Sequence, residues 1–584
     1  MLDPYRMVVI NLIASVLVLA GTLFYKFIYP RKKINLFVLL IIISILPIIS
    51  IFRTGTYESG DFNIHVRRAM EFYSLLSQGN IMPTWAADLN ATYGYPLFAF
   101  NYTLPYYIIS LFHLLGFSFI ASLKLFLASA FVLSGIFMYL FSKNFFKNSL
   151  AAFCTSIFYL FTPYHLISLH FKITIGEILA YTFIPLALCF TSKFLGDKKI
   201  INLLLSGLFL GMVMLSHIFI GIFLLPVISL YVIFENKSFF KGALYSLGII
   251  LVSLLTSMYQ WAAPLIYRPY MFTTAYPTDP IKNFYFPNII DLLYSPWRFG
   301  LLFQGPKGEL SFLLGYAQLL VFILAVVLIL KKRISKKHKK MLIMWTLLFS
   351  LNIFLITPYS IFIWKYLPII NQAGSQRLLI IAAIYTSLFA GYVSLNLKKK
   401  EFVIYVLVIL AIGTTILNWG QRRVIPTIND NILRQNLSLG TTWGDTHFYA
   451  IPKWVNPKQL WFSKIPDSHL EILDGEATIE NLNRTSINHL YLVNAKKPTI
   501  LKENTLYFPG WSATANGKPV NLIPDKNGVI NLFLPKGNYI LAFRFEDLPL
   551  FYLSKIVSLI SSVLILLYCL FYVLKSKLFK LPKF

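Results

Sequence analysis

The chain has 584 residues, of which 57% are hydrophobic, 17% aromatic and only 13% charged. Soluble domains have about 25% charged residues, so the composition excludes a set of water-soluble domains and also an intrinsically disordered chain. Three cysteines exclude a disulfide scaffold. The net charge of +29 comes from lysines and arginines in short gaps between apolar runs, where anionic lipid headgroups are a sufficient partner and nucleic acid is not expected.

Apolar runs of about 20 residues predict a mainly α-helical, polytopic protein of the cell (plasma) membrane. The alternation of these runs with basic gaps places the N-terminus outside and the C-terminus in the cytoplasm. About 13 spans are predicted, at residues 7–29, 34–52, 119–141, 149–167, 176–195, 200–217, 218–234, 243–262, 311–330, 341–362, 378–396, 402–419 and 550–574.

Three segments between the spans are longer than ordinary connections, and long loops often carry function. They divide the chain into a transmembrane domain, 1–419, with outer loops at 53–118 and 263–310. An extracytoplasmic domain follows at 420–548, and a final span with a basic cytoplasmic tail occupies 549–584.

The segment 420–548 has the pattern of a β-rich domain. Alternating runs at 489–493 and 539–545, with Asn516 and Gly517 as a turn signal between them, predict a small sandwich. Such a domain can be a packing lid without a ligand, or it can bind sugar or shape the acceptor. The sequence leaves both roles open.

The first outer loop begins with a carboxylate, Asp61, which follows an apolar run by a few residues and is expected at the outer membrane face. Asp61, His65 and Arg68 have the spacing of one helical face, in a segment whose apolar stripe predicts a helix on the membrane surface. Such a carboxylate can act as a general base or bind a metal ion. It can equally be a helix N-cap, because Ser59, Gly60 and Asp61 precede the predicted helix.

Aromatic residues crowd the rest of this loop, beginning with Trp85 and continuing through Tyr95. They suit stacking on sugar rings or contact with a prenyl chain, and they are also typical of an aromatic belt at the interface. Trp85 and Tyr95 are therefore candidate substrate-binding residues.

Glu177 lies at the mouth of the predicted span 176–195. It needs a partner or a function, because an ionised carboxylate in a span costs free energy, about 2.5–3.5 kcal/mol if it reaches the bilayer centre. Lys172, five residues earlier, can pair with it or bind a phosphate. His165 and His170 offer further metal ligands, but their spacing matches no zinc motif. A divalent metal cofactor is thus left open, and no metal ligand is assigned.

Arg377 is a lone cation at the outer start of the predicted span 378–396, where the positive-inside rule disfavours it. A guanidinium fixed there suits a phosphate or a diphosphate. The alternative is an arginine that snorkels to the interface. The chain has no P-loop and no dinucleotide fingerprint, so nucleotide hydrolysis is not expected.

Several short motifs occur in a fixed order along most of the chain. Together they resemble the GT-C superfamily of membrane glycosyltransferases, and most of all its branch of 6-pyruvoyl-tetrahydropterin synthase-related membrane proteins, akin to YfhO-like proteins. Lys172 stands where that branch commonly has Arg, and Gly374-Ser375-Gln376 replaces an aromatic stretch before Arg377. The motifs are Gly60-Asp61-Phe62, Trp85, Gly94-Tyr95-Pro96-Leu97-Phe98, Lys172 to Glu177, and Tyr507-Phe508-Pro509-Gly510-Trp511.

The resemblance implies a lipid-linked (polyprenyl-phosphate) sugar donor, a glycan, lipid or protein acceptor at the outer face, and inversion at the anomeric carbon. Asp61 would be the general base, and we assign His65 to catalysis beside it. The alternative is a non-enzymatic translocator or scaffold for lipid-linked glycans, although a transporter should carry an ionisable pair at the midplane. The candidate substrate-binding residues are Arg68, Trp85, Tyr95, Lys172, Glu177 and Arg377.

The predicted topology is open to a direct test. Cysteines placed at Asp445 and Asn516 should react with a membrane-impermeant maleimide in intact cells, because the segment 420–548 is predicted to lie outside. Labelling that requires cell lysis would contradict this orientation.

Overall fold

The computed structural model describes residues 6–275, 286–294, 311–331, 335–367, 374–396, 400–420, 424–439, 450–458 and 461–578. Asp445, one of the two labelling positions, and part of the predicted outer loop 263–310 lie outside these ranges. The helices are α1 (Arg6–Ile28), α2 (Leu36–Ile48), α3 (Phe62–Ser77), α4 (Leu97–Phe100), α5 (Leu104–Leu114), α6 (Phe119–Phe146), α7 (Ser149–Leu160), α8 (Pro163–Ile167), α9 (Ile175–Asp197), α10 (Ile200–Ser216), α11 (Ile218–Glu235), α12 (Phe239–Thr256), α13 (Met258–Tyr267), α14 (Phe272–Ala275), α15 (Ile289–Leu293), α16 (Tyr316–Leu330), α17 (Lys336–Ile356), α18 (Ile361–Lys365), α19 (Leu378–Asn396), α20 (Lys400–Gly413), α21 (Asp430–Gln435) and α22 (Pro549–Leu578).

Nine helical segments in the described part of the chain are long and apolar enough to cross a membrane; they contain α1, α6, α9, α11, α12, α17, α19, α20 and α22. Three shorter apolar helices, α2, α10 and α16, coincide with further predicted spans. The prediction of a mainly α-helical, multi-pass membrane protein is confirmed.

The predicted span 149–167 is not one straight helix. α7 ends at Leu160, and the chain from Pro163 to Lys172 continues at an angle of 49°, as a broken span or a re-entrant loop. Pro163 lacks the amide hydrogen that would continue the helical ladder, which accounts for the break. The segment 163–172 therefore turns away from the axis of α7 and approaches the first outer loop.

One helix is enclosed by the others. Within the apolar window of the span Ser375–Asn396, which contains α19, 94% of the residues are buried, against 17% for α1 and 11% for α22. α19 contacts α7, α16 and α17. Arg377, directly before α19, therefore begins the central helix of the bundle.

The β-rich region predicted near the C-terminus is present. The strands are β1 (Thr56–Tyr57), β2 (Val424–Ile425), β3 (Leu470–Asp474), β4 (Ala477–Arg484), β5 (Asn488–Ala495), β6 (Thr499–Leu506), β7 (Trp511–Ala515), β8 (Lys518–Val520), β9 (Ile523–Pro524), β10 (Val529–Leu534) and β11 (Gly537–Phe545). β1 pairs with β2, and the other strands form antiparallel sheets in the orders β3-β6-β10-β9 and β4-β5-β11-β7-β8. Asn516 and Gly517 form the predicted two-residue turn between β7 and β8.

A buried ion pair fastens the β-rich region to the membrane part. Lys555 on α22 contacts Asp547 Oδ2 with Nζ at 2.5 Å and also donates to Thr84 Oγ1 at 2.7 Å and to the Met82 carbonyl at 2.6 Å. The Thr84 hydroxyl in turn donates to Asp547 Oδ1 at 2.7 Å. The contact thus joins the last helix, the end of the β-rich region and the first outer loop.

Removing one charge of this pair should destabilise the protein. Asp547→Asn leaves the Lys555 ammonium buried without its counter-ion, which typically costs about 3–5 kcal/mol. We expect a lower midpoint of thermal unfolding in detergent. The double variant Asp547→Leu/Lys555→Met should recover much of the loss, because replacing both charges of a buried pair by apolar side chains is often neutral.

Lys464 and Asp467 provide the matched control. Their ion pair is 3.2 Å long, but the two side chains are 78% and 88% exposed. Exposed pairs contribute about 0–1 kcal/mol, so Asp467→Asn should leave the unfolding midpoint nearly unchanged. Equal effects of Asp547→Asn and Asp467→Asn would contradict the role of the buried pair.

Candidate functional site

A distorted turn connects α8 to α9. Residues Ser168–Lys172 form a π-helical turn, and the next residue, Ile173, has a φ of 56°. A β-branched residue in the left-handed region is strained, and both strained residues and π-helical turns cluster at functional sites. The distortion lies beside Lys172, one of the predicted substrate-binding residues.

A fully buried carboxylate follows this turn. Glu177 Oε2 accepts hydrogen bonds from Lys172 Nζ at 2.9 Å and from the hydroxyls of Thr174 and Ser168, both at 3.2 Å. Its other oxygen, Oε1, accepts Arg377 Nε at 3.1 Å. The predicted pairing of Lys172 with Glu177 is confirmed, whereas the pairing with Arg377, 200 positions away, was not predicted.

The three charged side chains are not equally exposed. Glu177 is 0% exposed, but the side chains of Lys172 and Arg377 are 13% and 25% exposed. Arg377 therefore does not simply snorkel at the interface, since its guanidinium is held by a buried carboxylate. The triad of Lys172, Glu177 and Arg377 carries a net charge of +1, with its positive members nearer the surface.

The loop before α3 is attached to the π-helical turn. The amide of Asp61 donates to the Lys172 carbonyl at 3.0 Å, and the amide of Gly60 donates to the Phe171 carbonyl at 2.7 Å. A Cβ atom at Gly60 would lie 2.9 Å from the Lys172 carbonyl oxygen, so the approach requires glycine. The backbone thus brings Asp61 beside Lys172.

In the structure the side chain that caps the N-terminus of α3 belongs to Ser59 and not to Asp61. The amide of Phe62, the first residue of α3, donates to Ser59 Oγ at 3.3 Å, and Asp61 makes no side-chain cap hydrogen bond. Asp61 occupies the N-cap position by its place in the chain, but Ser59 supplies the capping oxygen.

His65 and Arg68, also on α3, are buried, each with 2% exposure. The Nδ1 atom of His65 lies 2.9 Å from the Tyr106 hydroxyl. Tyr102 stacks near Tyr106 with a centroid distance of 6.5 Å, and it also faces His217 at 5.9 Å. These rings form a wall from His65 to His217.

Four residues around the triad were not assigned to the site from the sequence. Tyr102 and Tyr106 belong to the aromatic stretch of the first outer loop, and Tyr164 and His217 lie on later elements. The Tyr164 hydroxyl accepts Lys172 Nζ at 2.8 Å, and the same ammonium lies 4.6 Å from the Tyr164 ring centroid. His217 lies between α10 and α11, at the C-cap of the first helix and the N-cap of the second. An ionisable residue between two apolar helices is itself a signal of function, and by this criterion the sequence would have indicated His217.

Trp85 and Tyr95 are covered by the C-terminal part of the chain. Trp85 is 1% exposed, and its ring meets Trp511 edge-on at 5.5 Å and Phe545 at 5.3 Å. Tyr95 is also 1% exposed and meets Trp461 edge-on at 5.5 Å. Both rings attach the first outer loop to the C-terminal part of the chain, and a role of either in substrate binding stays a prediction.

A second carboxylate of α3 has a structural role. Glu71 is 1% exposed and accepts the amide of Asp88 at 3.2 Å, which holds the loop that follows Trp85 against the helix. Burial, and then the nearby charge of Asp88, raise the pKa of the Glu71 carboxyl well above its usual value.

A metal centre does not emerge from the described residues, which contain no group of three or more His, Cys, Asp or Glu side chains that could hold an ion. His165, one of the histidines considered, stacks on Tyr181 with a centroid distance of 3.9 Å and lies 3.3 Å from the Tyr159 carbonyl.

Comparison with solved structures finds partial similarity to membrane transferases. An archaeal oligosaccharyltransferase from Archaeoglobus fulgidus, in complex with an inhibitory peptide and a dolichol-phosphate, matches with a TM-score of 0.42 and 13% identity, over 66% of this chain and 55% of that chain. ArnT from Cupriavidus metallidurans, bound to undecaprenyl phosphate, matches with a TM-score of 0.41 and 11% identity, over 63% and 61%.

Comparison of sequences gives one relative and one family. Over 210 residues the chain is 24% identical to an uncharacterised protein of Lactococcus lactis subsp. cremoris; the alignment covers 35% of this chain and about a third, 34%, of the relative. A family model described as "6-pyruvoyl-tetrahydropterin synthase related domain; membrane protein" matches residues 98–424, which is more than half of the chain. The chain belongs to this family of 6-pyruvoyl-tetrahydropterin synthase-related membrane proteins.

Proposed function

We propose that the protein is a membrane glycosyltransferase that moves a sugar from a polyprenyl-phosphate donor to an acceptor at the outer membrane face, with inversion at the anomeric carbon. The observation that carries the proposal is the pair of backbone hydrogen bonds from Gly60 and Asp61 to the π-helical turn. They hold a half-buried carboxylate beside a cationic triad. A base and a cation in that arrangement suit transfer from a phosphate leaving group.

The triad supplies the site for the donor phosphate. Lys172 and Arg377 are partly exposed while Glu177 is fully buried, so the carboxylate orients the two cations from behind. An arginine binds phosphate oxygens with fixed geometry, and a lysine acts as a point charge. A group fixed before the substrate arrives stabilises developing charge without reorganisation.

The reaction follows from these positions. Asp61 takes the proton from the acceptor hydroxyl, and the acceptor oxygen attacks the anomeric carbon of the donor sugar. The bond from that carbon to the phosphate oxygen breaks, and the polyprenyl phosphate leaves with its negative charge near Lys172 and Arg377. The acceptor gains the sugar with inverted configuration, and Asp61 carries the proton until water removes it.

The aromatic wall and the β-rich region complete the proposed site. Tyr102 is partly exposed and offers a ring face close to His65, and aromatic faces suit sugar rings. Tyr106 is fully buried and supports this wall through its contact with His65. His65 would position the wall near Asp61, while Arg68 would favour the ionised form of the base. We further propose that the N-terminus and the segment 420–548 lie outside, so that the acceptor is a glycan, lipid or protein of the cell envelope.

Arg377→Gln should weaken the binding of a polyprenyl phosphate to the purified protein about tenfold or more. A hydrogen bond to a charged group contributes about 1.5–3 kcal/mol, and about 1.4 kcal/mol corresponds to a tenfold change in affinity. Binding can be measured by tryptophan fluorescence in detergent, with a long-chain polyprenyl phosphate as the ligand.

The double variant Arg377→Gln/Glu177→Gln separates binding from stability. The single variant also deprives buried Glu177 of one of its two cations, and the loss of affinity could arise from that damage. The double variant has no undercompensated buried carboxylate, and the Lys172 ammonium that it leaves unpaired is partly exposed, so stability should recover while affinity stays low. Recovery of both properties would make Arg377 only a partner of Glu177.

Asp61→Asn should give a folded protein that transfers sugar about 10²- to 10⁴-fold more slowly, because an amide cannot take the acceptor proton. The donor sugar need not be known in advance: mass spectrometry of lipid-linked and surface glycans, with and without the gene for this chain, identifies the product. Asp61→Asn should then behave like the deletion at a normal level of membrane-inserted protein.

Glu58→Gln is the control, since Glu58 is an exposed carboxylate three positions before Asp61. When it is expressed in cells that lack the gene for this chain, Glu58→Gln should restore the glycan profile. If Asp61→Asn restores the profile at more than about a tenth of the wild-type rate, Asp61 is not the base. A glycan profile that depends on the protein but on none of its site residues would instead favour the non-enzymatic translocator or scaffold.

A further inference from the structure

A groove lies between α6 and α9 at the end of the bundle opposite to Asp61. Glu177 lies in the first turn of α9. Residues toward the C-terminal end of the same helix line the groove, namely Leu186, Cys189, Phe190 and Lys193. The wall from α6 consists of Leu140, Lys143 and Asn144. The cavity has a volume of about 310 Å³, at the lower end of the range for ligand sites.

The groove has an apolar wall and a cationic rim. Leu140, Leu186, Cys189 and Phe190 form the wall, and no acidic side chain lines the cavity. Lys193 holds its ammonium 4.6 Å from the Phe190 ring centroid, so it stands directly over the groove.

A polar network fixes the rim. Lys147 Nζ donates to Asn144 Oδ1 at 2.9 Å, and Asn144 Nδ2 donates to Ser192 Oγ at 3.0 Å. The bond between Asn144 and Ser192 joins α6 to α9 beside the cavity that Lys143 and Lys193 line. Two lysines therefore line the apolar slot, and a third bonds to the polar bridge beside it.

We propose that this groove binds one anionic phospholipid of the adjacent leaflet. The headgroup phosphate would lie between Lys143 and Lys193, with Lys147 behind them, and one acyl chain would lie along Leu186 and Phe190. Both helices are candidate membrane spans, so the groove opens toward lipid rather than toward bulk water. Basic pockets between spanning helices are sites for anionic headgroups, and an apolar slot beside the cations matches the attached chain.

The occupant is a whole phospholipid rather than a free anion. A free phosphate would use the lysines but leave the apolar wall uncovered, and a zwitterionic lipid would cover the wall but bring no net negative charge. The proposal does not depend on the glycosyltransferase reaction, because Lys143 and Lys193 lie at the opposite end of α6 and α9 from Asp61 and Glu177.

Native mass spectrometry of the full-length protein in detergent tests the proposal. Phosphatidylglycerol and phosphatidylcholine with identical acyl chains are titrated in parallel. One phosphatidylglycerol should bind more tightly than phosphatidylcholine, and Lys143→Gln/Lys193→Gln should weaken it about tenfold or more. Both lysines are exposed, so the double variant should fold normally.

Two further variants make the result specific. Lys199→Gln/Lys241→Gln removes two lysines that do not line the groove, and it should leave the affinity for phosphatidylglycerol unchanged. Leu186→Trp fills the apolar slot, keeps the charges and should also weaken binding. The proposal is overturned if both lysine pairs have equal effects, if Leu186→Trp has none, if the two lipids bind equally, or if inorganic phosphate displaces the lipid.

Discussion

The central constraint on this fold is a carboxylate, Glu177, that is completely buried at the start of a membrane helix. An ionised group at that depth persists only with paired charges, and Glu177 has two, Lys172 from the turn before α9 and Arg377 from the start of α19. Because α19 is the most enclosed helix, the pair with Arg377 ties α9 to the centre of the bundle. Loss of either cation would leave a buried charge undercompensated, which is more costly than never having buried it.

The same requirement accounts for the distorted backbone beside it. Lys172 reaches Glu177 from a π-helical turn that ends in Ile173 at positive φ, a conformation that persists only when its surroundings hold it. The carbonyls of Phe171 and Lys172 accept the amides of Gly60 and Asp61, so the first outer loop stabilises the turn. The charge that organises the bundle therefore also positions the candidate base.

The sequence predicts the features that have a local signal. The length of the apolar runs predicts the spans, and the alternation of apolar and polar residues with the Asn516-Gly517 turn predicts the strands. The separation of five residues suggests the pairing of Lys172 with Glu177. The contact of Arg377 with Glu177 spans 200 positions, and that of Lys555 with Thr84 spans 471, so no periodicity reports them. The burial of Trp85 depends in the same way on strands more than 400 positions later, and an aromatic residue in a loop looks identical whether it binds a sugar or a neighbouring domain.

The two ends of the long helices α6 and α9 follow different electrostatic rules. At the end near Asp61 the charges are buried, and each is held by a partner because desolvation makes an unpaired ion expensive. At the other end of the same helices Lys143 and Lys193 are exposed, and the residues that line their groove include no acidic side chain. In the lipid site that we propose, the phosphate of an anionic lipid supplies the counter-charge. The charged side chains along this pair of helices are therefore of two kinds. A buried carboxylate needs cationic partners within the protein, whereas an exposed lysine can be neutralised by solvent or by a lipid headgroup.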